Sequence, residues 1–572
     1  MLKQNLIKMY AESFRQNGNL PALSDYLTPD DSFTYFEVAQ EIAKIHIIFD
    51  KAGINQGDKI ALVGRNTPRW CVAYLATITY GAVIVPILQD FNNNDIITIV
   101  NHSESRLMFL SDNFWKSMEG SDVPAIEAVF SLDSNTALYE RSGDALTTTA
   151  ANIEQEFAAK YSNGFSNDDI TYPEIANDRE CLLNYTSGTT GNSKGVILTV
   201  NNLTGNVMIA SGYINPNTKR PYFDRGGRCL SFLPLAHAYG CAFDFLTWMA
   251  VGGHVTLLGR IPTPKILMEG LQRVKPTVVC SVPMILEKIY RKQIAPLLEK
   301  TSMKIALKIP GIRSLIYSKM HAKLAGAFGG CVEAFMIGGA PINPETEAFL
   351  LKIGLPITVG YGMTECAPLI TFSGPTTFKA QSCGASLLGY SDVRVISKDP
   401  RNIPGEIEVR GEHVMVGYYK NEEATNAAFT ADGWLITGDM GVIEPDGTLY
   451  IKGRSKTMIL SANGQNIYPE QIEDRLNGMR FVSESLVIEN GNSLDALVVP
   501  DLEAMRIEGV SKDSLAEIMA ENMRELNKLV ANYERIASIT IHDEEFVKTP
   551  KKSIKRYLYT AELVNSLKNK SN

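Results

Sequence analysis

The sequence from Tyr185 to Gly195 is YTSGTTGNSKG, and it follows the apolar run Cys181-Leu182-Leu183 after a single residue, Asn184. Glycine lets the backbone turn tightly and bring its N–H groups close to a ligand. Consecutive N–H groups form an anion-binding nest, to which hydroxyl groups and a lysine add donors and positive charge. We therefore predict a short strand followed by a phosphate-binding loop. The loop residues expected to contact phosphate are Thr186, Ser187, Gly188, Thr189, Thr190, Gly191 and Lys194.

This loop differs from the P-loop of nucleoside triphosphatases, in which the lysine directly follows the last glycine. Here Lys194 lies three residues after Gly191. A flexible surface loop rich in serine, threonine and glycine is the alternative interpretation of the same residues.

Composition points to an ordinary globular enzyme. The 572 residues are too many for one simple core, so at least two domains are expected. A net charge of −8 argues against a nucleic-acid partner, which normally requires a basic surface. The eight cysteines are isolated in the sequence, which favours buried thiols in a reducing cytoplasm over disulfides or a zinc site. Polar sequence follows the first residues instead of the apolar core of a signal peptide, so we expect a cytoplasmic location.

The segment from Trp70 to Leu88 carries no charge and is long enough to span a bilayer. Gly81 and Pro86 interrupt it, however. We therefore predict a buried helix near residues 68–80 and then a short parallel strand at residues 82–85.

The chain is predicted to be α/β, with a large multi-subdomain N-terminal domain at residues 1–453 and a small α+β domain at 454–572. In the first part, short apolar strands at 59–64, 255–258 and 277–280 alternate with helical patterns. Near residues 405–450 the pattern changes to polar–apolar alternation with Asp-Gly turns, which predicts a small antiparallel β unit. A short hinge is expected between the domains.

Residues 300–323 hold six Lys or Arg residues and no acid, interleaved with apolar side chains. One interpretation is a solvated helix pair whose apolar side packs into the core. The other is a basic amphipathic element that associates peripherally with the inner face of the membrane.

Four further motifs follow the loop along the chain. They are Gly338-Gly339-Ala340-Pro341, Gly360-Tyr361-Gly362-Met363-Thr364-Glu365, Trp434-Leu435-Ile436-Thr437-Gly438-Asp439 and Gly453-Arg454-Ser455-Lys456. In order and approximate spacing, the five motifs resemble those of the adenylate-forming enzymes, the superfamily of acyl-CoA synthetases, peptide-synthetase adenylation domains and luciferases. The resemblance covers residues 185–556 and, more weakly, the chain before them. It implies ATP-dependent activation of a carboxylate, with a small domain that is mobile about its hinge.

The resemblance assigns nucleotide contacts to these motifs. The turn formed by Gly339, Ala340 and Pro341 packs against adenine in the family. Tyr361, followed by Gly362 and Met363, is expected to stack on the ring. A core tyrosine is the structural alternative for Tyr361.

The polar members are expected to contact the ribose, the phosphates and a metal ion. Asp439 is suited to accept both ribose hydroxyls, with Arg454 contacting the ribose from the hinge and Lys456 acting within the hinge. Thr364 is expected to donate to the α-phosphate and Glu365 to bind Mg²⁺, which favours one or two carboxylates plus phosphate oxygens. The structural alternatives are a turn aspartate for Asp439 and a salt-bridged surface acid for Glu365.

His237 lies in the apolar run Leu233-Pro234-Leu235-Ala236-His237-Ala238-Tyr239-Gly240. Spacing alone favours a core histidine. The family carries an aromatic residue or a histidine here, which implies a place for His237 beside the reacting carboxylate.

The resemblance implies a stand-alone acyl-CoA synthetase of the long-chain branch. Its substrates are a medium- or long-chain fatty acid, ATP and CoA, with acyl-AMP as the intermediate. Two alternatives stay open: a ligase that transfers the acyl group to an acyl carrier protein, and a non-catalytic nucleotide- or acyl-binding sensor on the same fold. The sequence does not indicate the oligomeric state.

The C-terminus departs from the family pattern, which has a lysine shortly after Lys-Thr-Pro that reaches the reacting groups. In Lys548-Thr549-Pro550-Lys551-Lys552-Ser553-Ile554-Lys555 the matching position is Ser553, which has no positive charge. Lys552 is one residue away, about 3.8 Å along the chain. In an extended segment Lys555 shares the face of Ser553, but about 7 Å further along. We therefore predict that Lys552 replaces the family's catalytic lysine.

Overall fold

The computed structural model describes residues 1–118, 120–134, 136–186, 193–259, 262–387, 389–460, 465–491, 493–549 and 553–571 of the chain. One continuous apolar core contains buried side chains from Leu6 to Leu449. Two smaller cores are built from buried residues between Ile467 and Val564. The large N-terminal α/β part and the small C-terminal part expected from the sequence are therefore both present.

The largest sheet has a parallel centre and antiparallel edges. Its central strands are rich in Val, Ile and Leu because helices cover both faces of a parallel sheet. Its strands lie in the order Gly417–Tyr418, Lys194–Thr199, Glu180–Thr186, Val83–Ile87, Lys59–Val63, Leu107–Leu110, Ala128–Ser131 and Ala137–Glu140.

A second layer consists of two mainly parallel sheets. The N–H group of Thr277 donates to the carbonyl of Arg228 at 2.9 Å and connects them. The strands of the first sheet are Arg228–Ser231, His254–Leu257, Pro21–Asp25 and Ser32–Thr34, and those of the second are Val278–Ser281, Ala334–Ile337 and Ile357–Val359.

The antiparallel unit predicted near 405–450 is confirmed. The turns at Gly433 and Gly447 have φ of +81°, where glycine is favoured. Its strands lie in the order Ser391–Ile396, Gly405–Gly411, Leu435–Ile443 and Leu449–Arg454, beside a smaller sheet of Tyr361–Gly362, Leu369–Phe372 and Ala385–Ser386.

The C-terminal part is α+β. Its strands are Ile459–Leu460 with Asn466–Ile467, and Val482–Asn490, Ser493–Pro500 and Ile536–Ile541. Its helices are Pro469–Leu476, Leu502–Glu508, Leu515–Leu529 and Ala561–Ser571.

Helices of the large domain cover the sheets, and several begin at a capping Thr or Asn or with proline in the first turn. The α-helices are Leu6–Asn17, Tyr35–Lys51, Pro68–Tyr80, Asn93–Ser103, Asp112–Met118, Ala145–Ala151, Ile153–Lys160, Val200–Gly212, Ala238–Gly240, Thr247–Val251, Pro264–Val274, Pro283–Ile289, Ala295–Glu299, Thr301–Ala306, Pro310–Ala327, Pro344–Lys352 and Glu422–Ala428, and the π-helices are Cys241–Leu246 and Tyr290–Ile294.

The uncharged segment after Trp70 has the structure predicted for it. The helix Pro68–Tyr80 is buried along almost its whole length and ends at Gly81, whose φ is +90°. The buried strand Val83–Ile87 follows. Within the described part of the chain, no helix combines the length and apolar character needed to cross a bilayer.

The expectation that the apolar side of residues 300–323 packs into the core is wrong. The segment forms the helices Thr301–Ala306 and Pro310–Ala327. None of its seven interleaved Met, Ile and Leu side chains between 303 and 316 is fully buried, and four are exposed. The helix pair is attached to the domain by later residues, such as the buried Leu324.

The π-helix Cys241–Leu246 places a carboxyl group in the core of the large domain. Asp244 is fully buried, and the Cys229 thiol donates to its Oδ1 at 3.5 Å. Burial raises the pKa of Asp244 to about 7, against which the hydrogen bonds of the Cys280 and Cys229 thiols act. Between about pH 4 and this value, the folded protein keeps a proton that the unfolded chain has released. The free energy of unfolding therefore falls as the pH rises.

Asp244→Asn is expected to remove this contribution, which is on the order of 4 kcal/mol for a shift from 3.8 to about 7. Thermal unfolding from about pH 5 to about pH 8 measures it, and the variant's Tm should fall less than that of the wild-type protein. The exposed Asp30→Asn is the control. Equal pH slopes for Asp244→Asn and wild type would show that the carboxyl group does not titrate in this range.

Candidate active site

The predicted phosphate-binding loop is held between two paired strands. Glu180–Thr186 and Lys194–Thr199 pair in antiparallel register as far as Thr186 and Lys194. The intervening Ser187, Gly188, Thr189, Thr190 and Gly191 lie outside the described residues. The Lys194 ammonium is 4.7 Å from the centroid of the Tyr418 ring, so its charge lies at the base of the loop.

One cavity brings the two glycine motifs and His237 together. Its lining includes Gly338–Gly339 and Gly360–Thr364. Aromatic and aliphatic side chains line the same cavity, among them Phe223, Phe243, Tyr239, Met336 and Leu369. Glycine-rich backbone thus meets an apolar lining in one cavity.

Strand topology places the two glycine motifs side by side. The strands Ala334–Ile337 and Ile357–Val359 are parallel neighbours, and each runs directly into one motif. Carboxyl ends of parallel strands lie at the same edge of a sheet, which is where α/β folds bind ligands. The N–H group of Gly360 donates to the carbonyl of Ile337 at 2.9 Å and keeps the two ends in register.

Close packing requires glycine at these turns. A Cβ on Gly338 would lie 3.1 Å from the ring of Tyr239, and one on Gly362 would lie 2.2 Å from the carbonyl oxygen of Pro368. Gly339 has a φ of +86°. Larger residues at these positions would shift the backbone that lines the cavity. The neighbouring Ala340 and Pro341 are exposed.

Tyr361, Asp439 and Arg454 form one connected group. The Tyr361 hydroxyl donates to Asp439 Oδ2 at 2.6 Å, and Arg454 Nε lies 3.2 Å from Oδ1. Asp439 and Arg454 are cross-strand partners of Leu435–Ile443 and Leu449–Arg454. Burial raises the pKa of Asp439, and both Arg454 and the Tyr361 hydrogen bond oppose this rise. These contacts connect the Tyr361 ring, which lines the cavity, to Asp439, the predicted ribose ligand, and to Arg454 in the predicted hinge.

Glu365 is oriented by a residue that no sequence motif pointed to. It lies in the 3₁₀ turn Thr364–Cys366, directly after the cavity residues, and is nine-tenths buried. Its Oε1 accepts from the Tyr418 hydroxyl at 2.9 Å, and its carbonyl accepts from Met415 N–H at 2.8 Å. Tyr418 stands between this carboxylate and Lys194. The only sequence signal for Tyr418 is the short run Gly-Tyr-Tyr at 417–419, which forms an edge strand beside the loop strand.

His237 lines the cavity. It precedes the short helix Ala238–Gly240, and its Nδ1 accepts from Tyr239 N–H at 3.4 Å. The Tyr239 hydroxyl donates to the Met336 carbonyl at 2.7 Å, which fixes this ring in the cavity lining. The place of His237 beside the reacting carboxylate stays a prediction.

The chain on either side of residues 550–552 pairs in antiparallel fashion. Thr549 N–H donates to the Ser553 carbonyl at 2.8 Å, and Lys548 and Ile554 are antiparallel bridge partners. Lys555 N–H donates to the Val547 carbonyl at 2.9 Å, so Lys555 lies beside Val547. Lys552 lies outside the described residues, and its role stays a prediction.

Lys456 is exposed in the turn that follows Arg454. Gly453 precedes this turn, and a Cβ there would lie 2.8 Å from the ring of Tyr468 in the C-terminal part. The chain between the two parts is thus short and closely packed at this glycine.

Comparison with known proteins agrees with this architecture. A family model described as AMP-binding enzyme matches residues 10–419, and a model described as AMP-binding enzyme C-terminal domain matches residues 456–568. Long-chain-fatty-acid–CoA ligase FadD15 of Mycobacterium bovis is 29% identical over an alignment that covers 91% of this chain and 89% of that protein.

Two solved structures share the fold along the whole chain. The anthranilate CoA ligase AuaEII, in complex with anthranoyl-AMP, has a TM-score of 0.76 at 17% identity, covering 100% of this chain and 98% of its own. ATP-bound MatB from Rhodopseudomonas palustris has a TM-score of 0.73 at 22% identity and covers 100% of both chains.

Proposed function

The chain belongs to the AMP-binding enzyme family, and from this premise we propose that it is a fatty acid–CoA ligase. It activates a medium- or long-chain fatty acid with ATP and transfers the acyl group to CoA. The observation that carries the proposal is one cavity whose lining combines the two glycine motifs with apolar side chains. The similarity to a long-chain fatty acid–CoA ligase along most of the chain supports the choice of substrate.

The reaction has two steps, because a free carboxylate is a poor acyl donor. In the first step a carboxylate oxygen attacks the α-phosphorus of ATP, the bond to the bridging oxygen breaks and pyrophosphate leaves. In the second step the sulfur of CoA attacks the acyl carbon, the bond to the phosphate oxygen breaks and AMP leaves. Phosphoryl transfer of this type depends on positioning and on neutralising charge at the phosphate oxygens.

The nucleotide is held by groups already close together in the structure. The ring of Tyr361 lines the cavity, and its hydroxyl holds Asp439 in place for the ribose hydroxyls. Arg454 approaches the same carboxylate from the hinge strand. Lys194 stands at the end of the loop strand to meet the outer phosphates, and Thr364 lines the cavity close to the α-phosphate position.

The donor set at Glu365 fits Mg²⁺. Within the described residues there is no cluster of three or more His, Cys, Asp or Glu side chains that would form a complete protein cage. A single carboxylate fits an ion that takes its other ligands from phosphate oxygens and water. Tyr418 holds one oxygen of this carboxylate and so fixes its direction. Bound Mg²⁺ would neutralise negative charge on the phosphates.

The acyl chain occupies the space beside the apolar side chains of the cavity. Tyr239, fixed by its hydrogen bond to the Met336 carbonyl, and Phe243 line this cavity and limit the length of chain that it admits. His237 lines the same cavity and is beside the carboxylate of the bound fatty acid. As part of the proposal, the boundary between the domains lies at 453–454, and Lys456 belongs to the hinge about which the small domain moves between the two steps.

We expect fatty-acid-dependent exchange of pyrophosphate into ATP, with activity across some of the chain lengths from about eight to eighteen carbons. A parallel assay supplies CoA or an acyl carrier protein as the acceptor and detects the thioester. If the thioester forms only on the carrier protein, the acceptor is the carrier protein and not CoA. ATP binding without exchange at any chain length would favour the sensor.

Glu365→Gln is expected to lower the rate of adenylation at least a hundredfold, the scale for removing one preorganised charge-stabilising group. Tyr418→Phe keeps the carboxylate but removes the bond that orients it, so a smaller loss of about tenfold is expected. The exposed Glu423→Gln is the matched control. Near-wild-type exchange in Glu365→Gln, measured over a range of Mg²⁺ concentrations, would assign a structural role to this glutamate.

Lys552→Ala is expected to lower adenylation about a hundredfold or more, yet leave thioester formation from supplied acyl-AMP nearly intact. The nearby Lys548 is already paired with Glu484 at 2.5 Å, so it is a matched comparison within the same segment. The two half-reactions are measured separately for Lys552→Ala, Lys555→Ala and Lys548→Ala. If only Lys555→Ala shows the selective loss, the role belongs to Lys555.

A further inference from the structure

The helices Thr301–Ala306 and Pro310–Ala327 present apolar side chains to solvent. Ile305, Ile309, Ile312 and Leu315 are exposed to 59%, 47%, 43% and 56%, with both domains of the chain in place. Scattered exposed apolar residues are normal on a protein surface, but here four of them fall within eleven consecutive positions. We call these four residues and the basic residues around them the basic–apolar surface.

The positive charges of this surface are also free of acidic partners. The six basic residues of 300–323 are exposed, and in the described part of the chain none of them forms an ion pair. They are Lys300, Lys304, Lys308, Arg313, Lys319 and Lys323. The segment contains no acid, although the whole chain has a net charge of −8.

Apolar and basic residues share one face of the longer helix. Ile312, Leu315, Lys319 and Lys323 follow one another at spacings of three and four residues, so they lie along one line of the helix. The buried Leu324 lies on another side and attaches the helix to the domain. From Ile312 to Lys323 this line is about 17 Å long.

From this arrangement we infer that the basic–apolar surface binds the surface of an anionic lipid bilayer. Exposed Ile and Leu side chains enter the boundary between headgroups and acyl chains, while lysine and arginine side chains reach the lipid phosphates. The apolar side chains then contact an apolar phase and the basic side chains contact anionic groups. The helices lie along the membrane without crossing it.

The charges disfavour the other occupants. A symmetric pair of copies of this chain, joined through this surface, would bring the same cations of both copies together. The phosphates of a nucleic acid would pair with the cations, but they would not bury the four exposed aliphatic side chains. An anionic bilayer provides both negative charge and an apolar phase.

Flotation of the full-length protein with lipid vesicles tests the inference. Vesicles of phosphatidylcholine with about 30% phosphatidylglycerol should bind the protein, and vesicles of phosphatidylcholine alone should bind it much more weakly. Binding should weaken as the salt concentration rises, because exposed charges are screened. ATP, fatty acid and CoA are left out, so the result does not depend on the proposed ligase activity.

Two double variants separate the two contributions. Ile312→Ser with Leu315→Ser should lower vesicle binding at least tenfold through lost apolar contact. Lys319→Gln with Lys323→Gln should lower it about fivefold for each charge removed. The matched control is Ile396→Ser with Ile403→Ser, two exposed isoleucines on the antiparallel unit, and it should bind like the wild-type protein.

Circular dichroism checks that each variant is folded, and sedimentation velocity gives its oligomeric state. Equal vesicle binding by the wild-type protein and both double variants would overturn the inference, as would equal binding to neutral and anionic vesicles. A wild-type dimer that Ile312→Ser with Leu315→Ser converts to monomer would also overturn it, because the surface would then be an interface between two copies.

Discussion

The site depends on one constraint: the parallel strands Ala334–Ile337 and Ile357–Val359 must end side by side and then turn sharply. Parallel strands are held together by backbone hydrogen bonds, so their ends stay in register to within one peptide unit. The backbone leaving the second strand passes too close to the Pro368 carbonyl for any side chain at Gly362, and a Cβ at Gly338 would press on the Tyr239 ring. The cavity wall is therefore backbone at the point where a nucleotide would lie, and the side chains that act on it come from elsewhere.

Those side chains are delivered by antiparallel elements packed against this edge. Asp439 comes from the four-stranded unit and accepts a hydrogen bond from the Tyr361 hydroxyl. Tyr418 comes from the edge of the largest sheet, and its hydroxyl donates to Glu365. A buried carboxylate needs such partners, since its desolvation is otherwise expensive. Burial raises the pKa of Asp439, and the Arg454 charge and the Tyr361 hydrogen bond oppose this rise.

The prediction of the fold succeeded where the signals were local. Apolar runs that begin after a glycine, such as Val83–Ile87 after Gly81, and Asp-Gly turns at Gly433 and Gly447 act through φ angles and burial within a few residues, although the strand runs through Pro86 instead of ending before it. The motifs around Gly338 and Gly360 were found through their resemblance to those of the adenylate-forming enzymes, and close backbone approach explains why they contain glycine. Element order and the glycine turns of the site were thus available before any coordinates.

The sequence by itself determined which residues can turn, bind phosphate or carry charge. Only the tertiary structure decided what surrounds them. Tyr418 becomes part of the site through strand pairing across more than two hundred residues, and no local pattern records that distance. The exposure of Ile312 and the antiparallel pairing of Thr549 with Ser553 were likewise decided by packing and by hydrogen bonds to neighbouring parts of the chain. An amphipathic pattern indicates that a helix has an apolar and a polar face. Which face packs against the core depends on where the rest of the chain lies.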